Sequence, residues 1–175
     1  GGMINLEQAT FTELGNGQVE VRGSRFEPIQ PYTIKLEGAR KVGFRSVSLA
    51  GVRDPIMIQS IGDILEKVKA QVNTLMEKEG IEGRLYFHVY GKDGVMGDRE
   101  PYKGTAHELG IVMDALGRTQ EEADTLCSVI RSTLLHYGYP GRISTAGNLA
   151  FPFSPSDISM GAVYEFSLYH LMEIT

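Results

Sequence analysis

The sequence has one cysteine, Cys127, so no internal disulfide can form, and no Cys/His spacing resembles a zinc site. It has no lysine- or arginine-rich stripe, and its net charge of −5 argues against a nucleic-acid footprint. No apolar run approaches the roughly 20 residues that a membrane span needs. Nothing reads as a secretory signal, and the opening GGMINLEQ reads as an expression scar ahead of a chosen start, so the expected location is the cytoplasm. What is present is ordinary for a globular chain. With 42% hydrophobic and 22% charged residues over 175 positions, disorder is excluded and one domain with its own core is expected.

ATFTELGNGQVEVRG carries a hairpin signature, with the turn GNG at 15–17 followed by period-two alternation. SRFEPIQPY contains Pro28 and Pro31, which oppose a helix and suit an extended linker. A boundary is therefore expected there: residues 1–40 as hairpin plus linker, and 41–175 as a compact domain. KVGFRSVSLAGV, 41–52, reads as a strand. RDPIMIQSIGDILEKVKAQVNTLMEKEG predicts one helix, with Asp54 as N-cap, Pro55 in the first turn and Gly80 at the end. Met57, Ile61, Ile64, Leu65, Val68, Val72, Leu75 and Met76 recur on one face of it.

GRLYFHVYG is a strand with Leu85, Phe87 and Val89 on one face and Tyr86, His88 and Tyr90 on the other. After a polar loop, HELGIVMDALG reads as the next strand. TQEEADTLCSVIRSTLLHYG is a helix opened by a capping box, Thr119 to Glu122, with Ala123, Leu126, Cys127, Ile130 and Leu134 inward. AVYEFSLYHLMEI, 162–174, is the last strand. The order β-α-β-β-α-β predicts an α+β, ferredoxin-like sandwich: a four-stranded antiparallel sheet with both helices on one face, preceded by the amino-terminal hairpin. That superfold hosts enzymes, sensors and oligomerisation modules alike, so it names no function.

Function must come from sites. GYPGRISTAGNLAFPFSPSDISMG, 138–161, holds more Gly, Ser, Thr, Asn and Pro than a connector needs. Arg142, Ser144, Thr145 and Asn148 could hold an anion or meet another domain, with Phe151 and Phe153 as apolar anchors. The segment lacks the spacing of a phosphate-binding loop, and an Ω-loop packed on its own sheet explains it as well. The loop before HELG brings Asp98, His107 and Glu108, a set that could bind a divalent metal for a hydrolase or lyase. Its glycines read more simply as a solvated hairpin loop. Tyr86, His88 and Tyr90 would line an open sheet face, where a homodimer could form, although cross-strand packing is the commoner role. His170 also lies on a strand, and His136 falls where it can interact with helix-end carbonyls. Cys127 lies on an apolar helix face and reads as an inert core thiol. No serine sits in a nucleophile motif.

PYTIKLEGARKVGFRSVSLAGVRDPIMI, VYGKDGVMG, the block from HELGIVMDALG through FPFSPSDI, and VYEFSLYHLMEI together resemble the carboxy-terminal part of the acyclic-terpene-utilisation AtuA family. The resemblance covers most of the chain after residue 24. It implies a larger protein, with an amino-terminal α/β domain ahead of a ferredoxin-fold region, linked to catabolism of terpenoid or branched acids as CoA thioesters. It supplies no catalytic residues and no cofactor. On that footing the chain is an accessory or substrate-binding domain, the 138–161 loop has the preceding domain as a partner, and an acyl-CoA-type molecule is the expected ligand.

Overall fold

The computed structural model describes residues 1–143 and 147–174. The chain divides into two units, Gly1–Arg40 with Glu165–Thr175, and Lys41–Tyr164.

In the second unit the strand β5 (Thr33–Val52, of which 41–52 lie here) runs into Asp54, whose Oδ1 accepts from the Ile56 amide at 2.9 Å and caps the helix α1 (Pro55–Gln59). Proline fits the first helical turn because its missing N–H has no partner to lose there. The single helix expected from the apolar periodicity is in fact two. The backbone leaves helical geometry at Ser60, and α2 (Ile61–Lys78) begins anew, so the apolar repeat runs through a break it does not record. Gly80, with φ at +69°, follows the end of α2 in the left-handed conformation that glycine adopts freely.

The strand β6 (Gly83–Tyr90), a 3-10 turn at Gly97–Arg99, the strand β7 (Leu109–Gly117), the helix α3 (Gln120–His136) and β8 (Asp157–Glu173) complete the order. The capping box of α3 is formed in both directions: Thr119 accepts from the Glu122 amide, and Glu122 accepts from the Thr119 amide. The four-stranded sheet has the order β6-β7-β5-β8, with β5 and β6 both antiparallel to β7. Its two outer connections, β5 to β6 and β7 to β8, carry α1–α2 and α3.

The register explains the core. Leu85 faces Ala115 and Ser46, Phe87 faces Met113 and Ser48, and Val89 faces Ile111 and Ala50, so one face of the sheet collects these side chains. Against it pack Met57, Ile61, Ile64, Leu65, Val68 and Val72 of the first helices, and Ala123, Leu126, Cys127, Ile130 and Leu134 of α3. Burial pushes the Cys127 thiol up to about 12, an inert thiol, as expected. The two serines are affordable inside because both are bonded: Ser46 donates to Asp124, and Ser48 donates to the Ser156 carbonyl at 2.9 Å.

The opposite face carries Tyr86, His88, Val112, Val47 and Leu49. In its middle Asp114 is buried, accepting from Arg45 Nε at 2.9 Å, with His88 Nε2 3.5 Å from its other oxygen.

The first unit contains two small sheets, β1 (Gly2–Asn5) with β4 (Arg25–Pro28), and β2 (Thr10–Gly15) with β3 (Gln18–Arg22). The GNG turn is as expected: Asn16 and Gly17 have φ of 54° and 73°, the positive pair that a tight hairpin turn demands. The segment expected to be a plain linker is partly β4, and GGMINLEQ, expected to be a scar, supplies β1. Each of these four-residue strands is too weak a signal alone, and the pairing spans more than 20 residues of sequence. The third element is the early part of β5 with the end of β8. The Ile174 amide donates to Tyr32 O at 3.0 Å, Gly38 lies against Leu168, and Arg40 pairs with Glu165 at 2.6 Å, so the two run antiparallel. No described residue of this unit is buried.

Candidate functional site

A cleft of about 860 Å³ lies at the carboxyl end of β5 in the second unit. Its floor is Leu49–Val52 and Leu109–Gly110, one side is Tyr90–Gly91, and the other is 147–152. The backbone holds that second wall: Gly51 N donates to Ala150 O at 2.8 Å, and Ala150 N donates back to Gly51 O at 2.9 Å. The decorated loop therefore pairs as a short extra strand beside β5. The backbone at Gly147 favours glycine, because φ is +111° and a Cβ would stand 2.3 Å from Leu135 Cδ1 unless that side chain shifts.

Three polar side chains fix the rim near α1. Tyr139 donates its hydroxyl to Asp54 Oδ2 at 2.5 Å, and Asn148 Nδ2 donates to the Tyr139 oxygen. Asp54 thus does two tasks, capping α1 through one oxygen and anchoring the loop through the other. The tyrosine hydrogen bond, aided by the Ile56 and Met57 amides, holds its carboxyl below the usual carboxylate range against the opposing effect of burial. Burial, then the same bond to Asp54, pushes the Tyr139 hydroxyl well above an ordinary phenol. At neutral pH the pair is phenol and carboxylate, a latch rather than a base. Arg53 Nη1 donates to the His107 carbonyl at 2.9 Å, which ties the end of β5 to the start of β7. Walls of Leu49, Val52, Leu109, Leu149, Phe151 and Pro152 with Arg53, Glu108 and Asn148 at the edge suit a mainly apolar ligand with one polar end.

The expected site residues fall in different places. Asn148 and Phe151 line the cleft. Phe151 is half-buried against the core, with the Arg131 guanidinium 5.9 Å from its ring centre, and Arg131 pairs with Asp157 at 2.6 Å. Arg142 is not among the residues lining the cleft; its Nη1 donates to the His136 carbonyl at 2.9 Å, at the end of α3. Phe153 is 54% exposed. Ser144 and Thr145 lie outside the described residues.

Of the metal alternative, Glu108 lines the cleft and His107 supplies its backbone carbonyl to Arg53, while Asp98 sits in the 3-10 turn. Among the described residues no three His, Cys, Asp or Glu side chains converge as metal ligands would. No helix of the described residues is long and apolar enough to cross a membrane. Sequence reasoning missed Arg53 and Tyr139. Only the cap signal at Asp54 was present to find this corner, because its partners come from 85 residues further along the chain.

No curated protein and no solved structure matches the chain. The pattern of the acyclic terpene utilisation family protein AtuA does match, over residues 2–154, which takes in β1 through the cleft wall at 147–152. The chain belongs to the AtuA family.

Proposed function

We propose that the second unit is a ferredoxin-like sandwich serving as a substrate-binding domain in terpene utilisation, its cleft holding the hydrocarbon chain of a branched or terpenoid acyl compound. The strand order, with helices in both outer connections, supports the fold reading. The observation that carries the functional reading is the cleft at the end of β5, apolar along its walls and cationic at one point, Arg53. An acyl chain would lie along Leu49, Leu109, Leu149 and Phe151. The carboxyl or thioester carbonyl would meet Arg53, which keeps free donors after bonding the His107 carbonyl. Two carboxylates, Asp54 and Glu108, border the same cleft, so a CoA moiety with its phosphates would remain outside. Asp54, Tyr139 and Asn148 serve by holding the wall in place.

The test is a thermal-shift panel of terpenoid acids, their CoA thioesters and free CoA, with the chain and with Phe151→Asp. A ligand that binds only the folded state raises the melting temperature by mass action. Shifts with chain-bearing compounds, absent with CoA alone and lost in Phe151→Asp, are expected. Equal shifts with free CoA, or none with any chain-bearing compound, would sink the assignment.

A second reading is favoured by Phe153 and Ile143, 54% and 94% exposed, on the same segment. They would form a docking surface for a preceding domain of the same protein. In that case Phe153→Ser lowers domain docking in the longer protein and leaves the ligand shifts untouched.

A further inference from the structure

The sheet face of the second unit that points away from the helices holds a cluster that neither the core nor the cleft uses. The register sets it out row by row. Leu116 stands between Arg84 and Arg45, Asp114 stands beside Tyr86 in the next row, and His88 lies one row beyond. Side chains at alternate positions share a face, so Arg84, Arg45 and His88 surround Asp114 as its diagonal neighbours, roughly 7–8 Å away.

The Asp114 side chain is only 10% exposed, and each of its oxygens has one partner. Oδ1 accepts from Arg45 Nε at 2.9 Å, and Oδ2 lies 3.5 Å from His88 Nε2. Stability alone does not account for a carboxylate there. Replacing a buried ion pair by apolar side chains is often neutral or stabilising, because desolvating the charges offsets their attraction. What the carboxylate does achieve is orientation. Held through Nε, Arg45 keeps the donors of both terminal nitrogens, and its side chain and that of His88 are partly exposed. Among the described residues, those terminal nitrogens and the whole guanidinium of Arg84 have no partner.

Charge then selects the ligand. The chain carries −5 overall, yet along the paired stretches 44–52, 83–90 and 109–117 Asp114 is the one carboxylate. Glu82, just before β6, is engaged with Arg118 at 3.5 Å. Two guanidinium groups against one carboxylate leave the patch a positive charge. Lys69, whose Nζ lies 5.7 Å from the Tyr86 ring centre, adds another at the edge of β6. A phosphate monoester carries about −1.5 to −2 at pH 7, which matches that surplus better than the single charge of a carboxylate. The guanidinium fork also suits phosphate oxygens, which accept two of its N–H groups at once.

We infer that this sheet face binds the phosphate group of a small molecule. Arg45 and Arg84 donate to its oxygens from either side of Leu116, and Asp114 holds Arg45 in place, with His88 beside them. The cleft begins two rows beyond Asp114, at Tyr90 and Gly110, and the inference does not depend on the reading of the cleft.

The test follows the histidine ring resonances of the whole chain by NMR while inorganic phosphate is added at fixed pH and ionic strength. Acetate and chloride are the comparison anions, and His88→Gln identifies the His88 signal. The expected result is a saturable shift of His88 with phosphate, a weaker response to acetate, and none above background with chloride. Phosphate affinity should fall at least about tenfold in Arg45→Gln and in Arg84→Gln. Arg45→Gln leaves Asp114 without its cation and can unfold the sheet; Arg84→Gln removes an exposed, unpaired side chain and decides the matter in that case. A His88 signal that responds to phosphate no more than to chloride overturns the inference. So does an affinity unchanged by Arg84→Gln, or acetate binding at least as tightly as phosphate.

Discussion

Strand β7 and the terminal half of β8 are similar in sequence and opposite in fate. LGIVMDALG and EFSLYHLME are both short, β-favouring and rich in large apolar side chains. In β7 every residue is buried or half-buried, with Leu109, Ile111, Met113 and Ala115 beneath the helices. In the end of β8 every described residue is exposed. The helices make the difference: all three fall between residues 55 and 136, and the unit that contains them acquires a core. A strand pattern specifies a face that could be buried, and another layer must exist to bury it.

The sharpest way to break this comparison is one matched truncation in each strand. Ile111→Ala removes a side chain with no exposed surface and should cost about 2–5 kcal/mol in urea unfolding. Leu168→Ala, measured where the chain is monomeric, should stay within about 0.5 kcal/mol. Similar losses would erase the distinction.

The next effect lies at the latch. Tyr139→Phe leaves Asp54 and Asn148 without their shared partner and should cost about 1–3 kcal/mol. The same site gives a pH signature. Because the folded-state carboxyl of Asp54 is held below its ordinary value, its contribution is complete above pH of about 4 and is lost as the pH falls through the lowered value. Stability profiles of wild type and Asp54→Asn should therefore converge on acidification. Profiles that stay parallel below pH of about 4 would remove Asp54 from the account.

Smaller still is Thr119→Ala, which deletes one arm of the α3 capping box and should cost about 1 kcal/mol by thermal unfolding. The smallest change expected is at the surface of the first unit. Glu20→Gln breaks an exposed pair with Arg22 and should shift unfolding by less than about 0.5 kcal/mol.

The sequence made the local devices legible. The GNG turn, the Asp54 cap, the Thr119–Glu122 box and the inward face of α3 each lie within a few residues of chain, and each is found as expected. What it concealed depends on distance or on interruption. Ser60 breaks α1 from α2 without a side-chain cap bond, so the apolar repeat continues unbroken across the joint. The β1–β4 pairing joins residues 2–5 to 25–28, and four-residue strands carry too little pattern to announce a partner. Asn148 and Phe151, which line the cleft, were singled out because the loop is unusual in composition. Arg53 and Tyr139 were not, since an arginine after a strand and a tyrosine after a helix are unremarkable until the fold sets them beside Asp54 and His107. Arg142, expected to hold an anion or meet another domain, donates one bond to the His136 carbonyl at the end of α3.

The claim beneath all of this is that residues 41–164 hold the core and fold on their own. Melting residues 41–164 alone, followed by circular dichroism, tests it most directly. The account predicts one cooperative transition within a few degrees of that of the whole chain at low concentration. A fragment with no cooperative transition would contradict it.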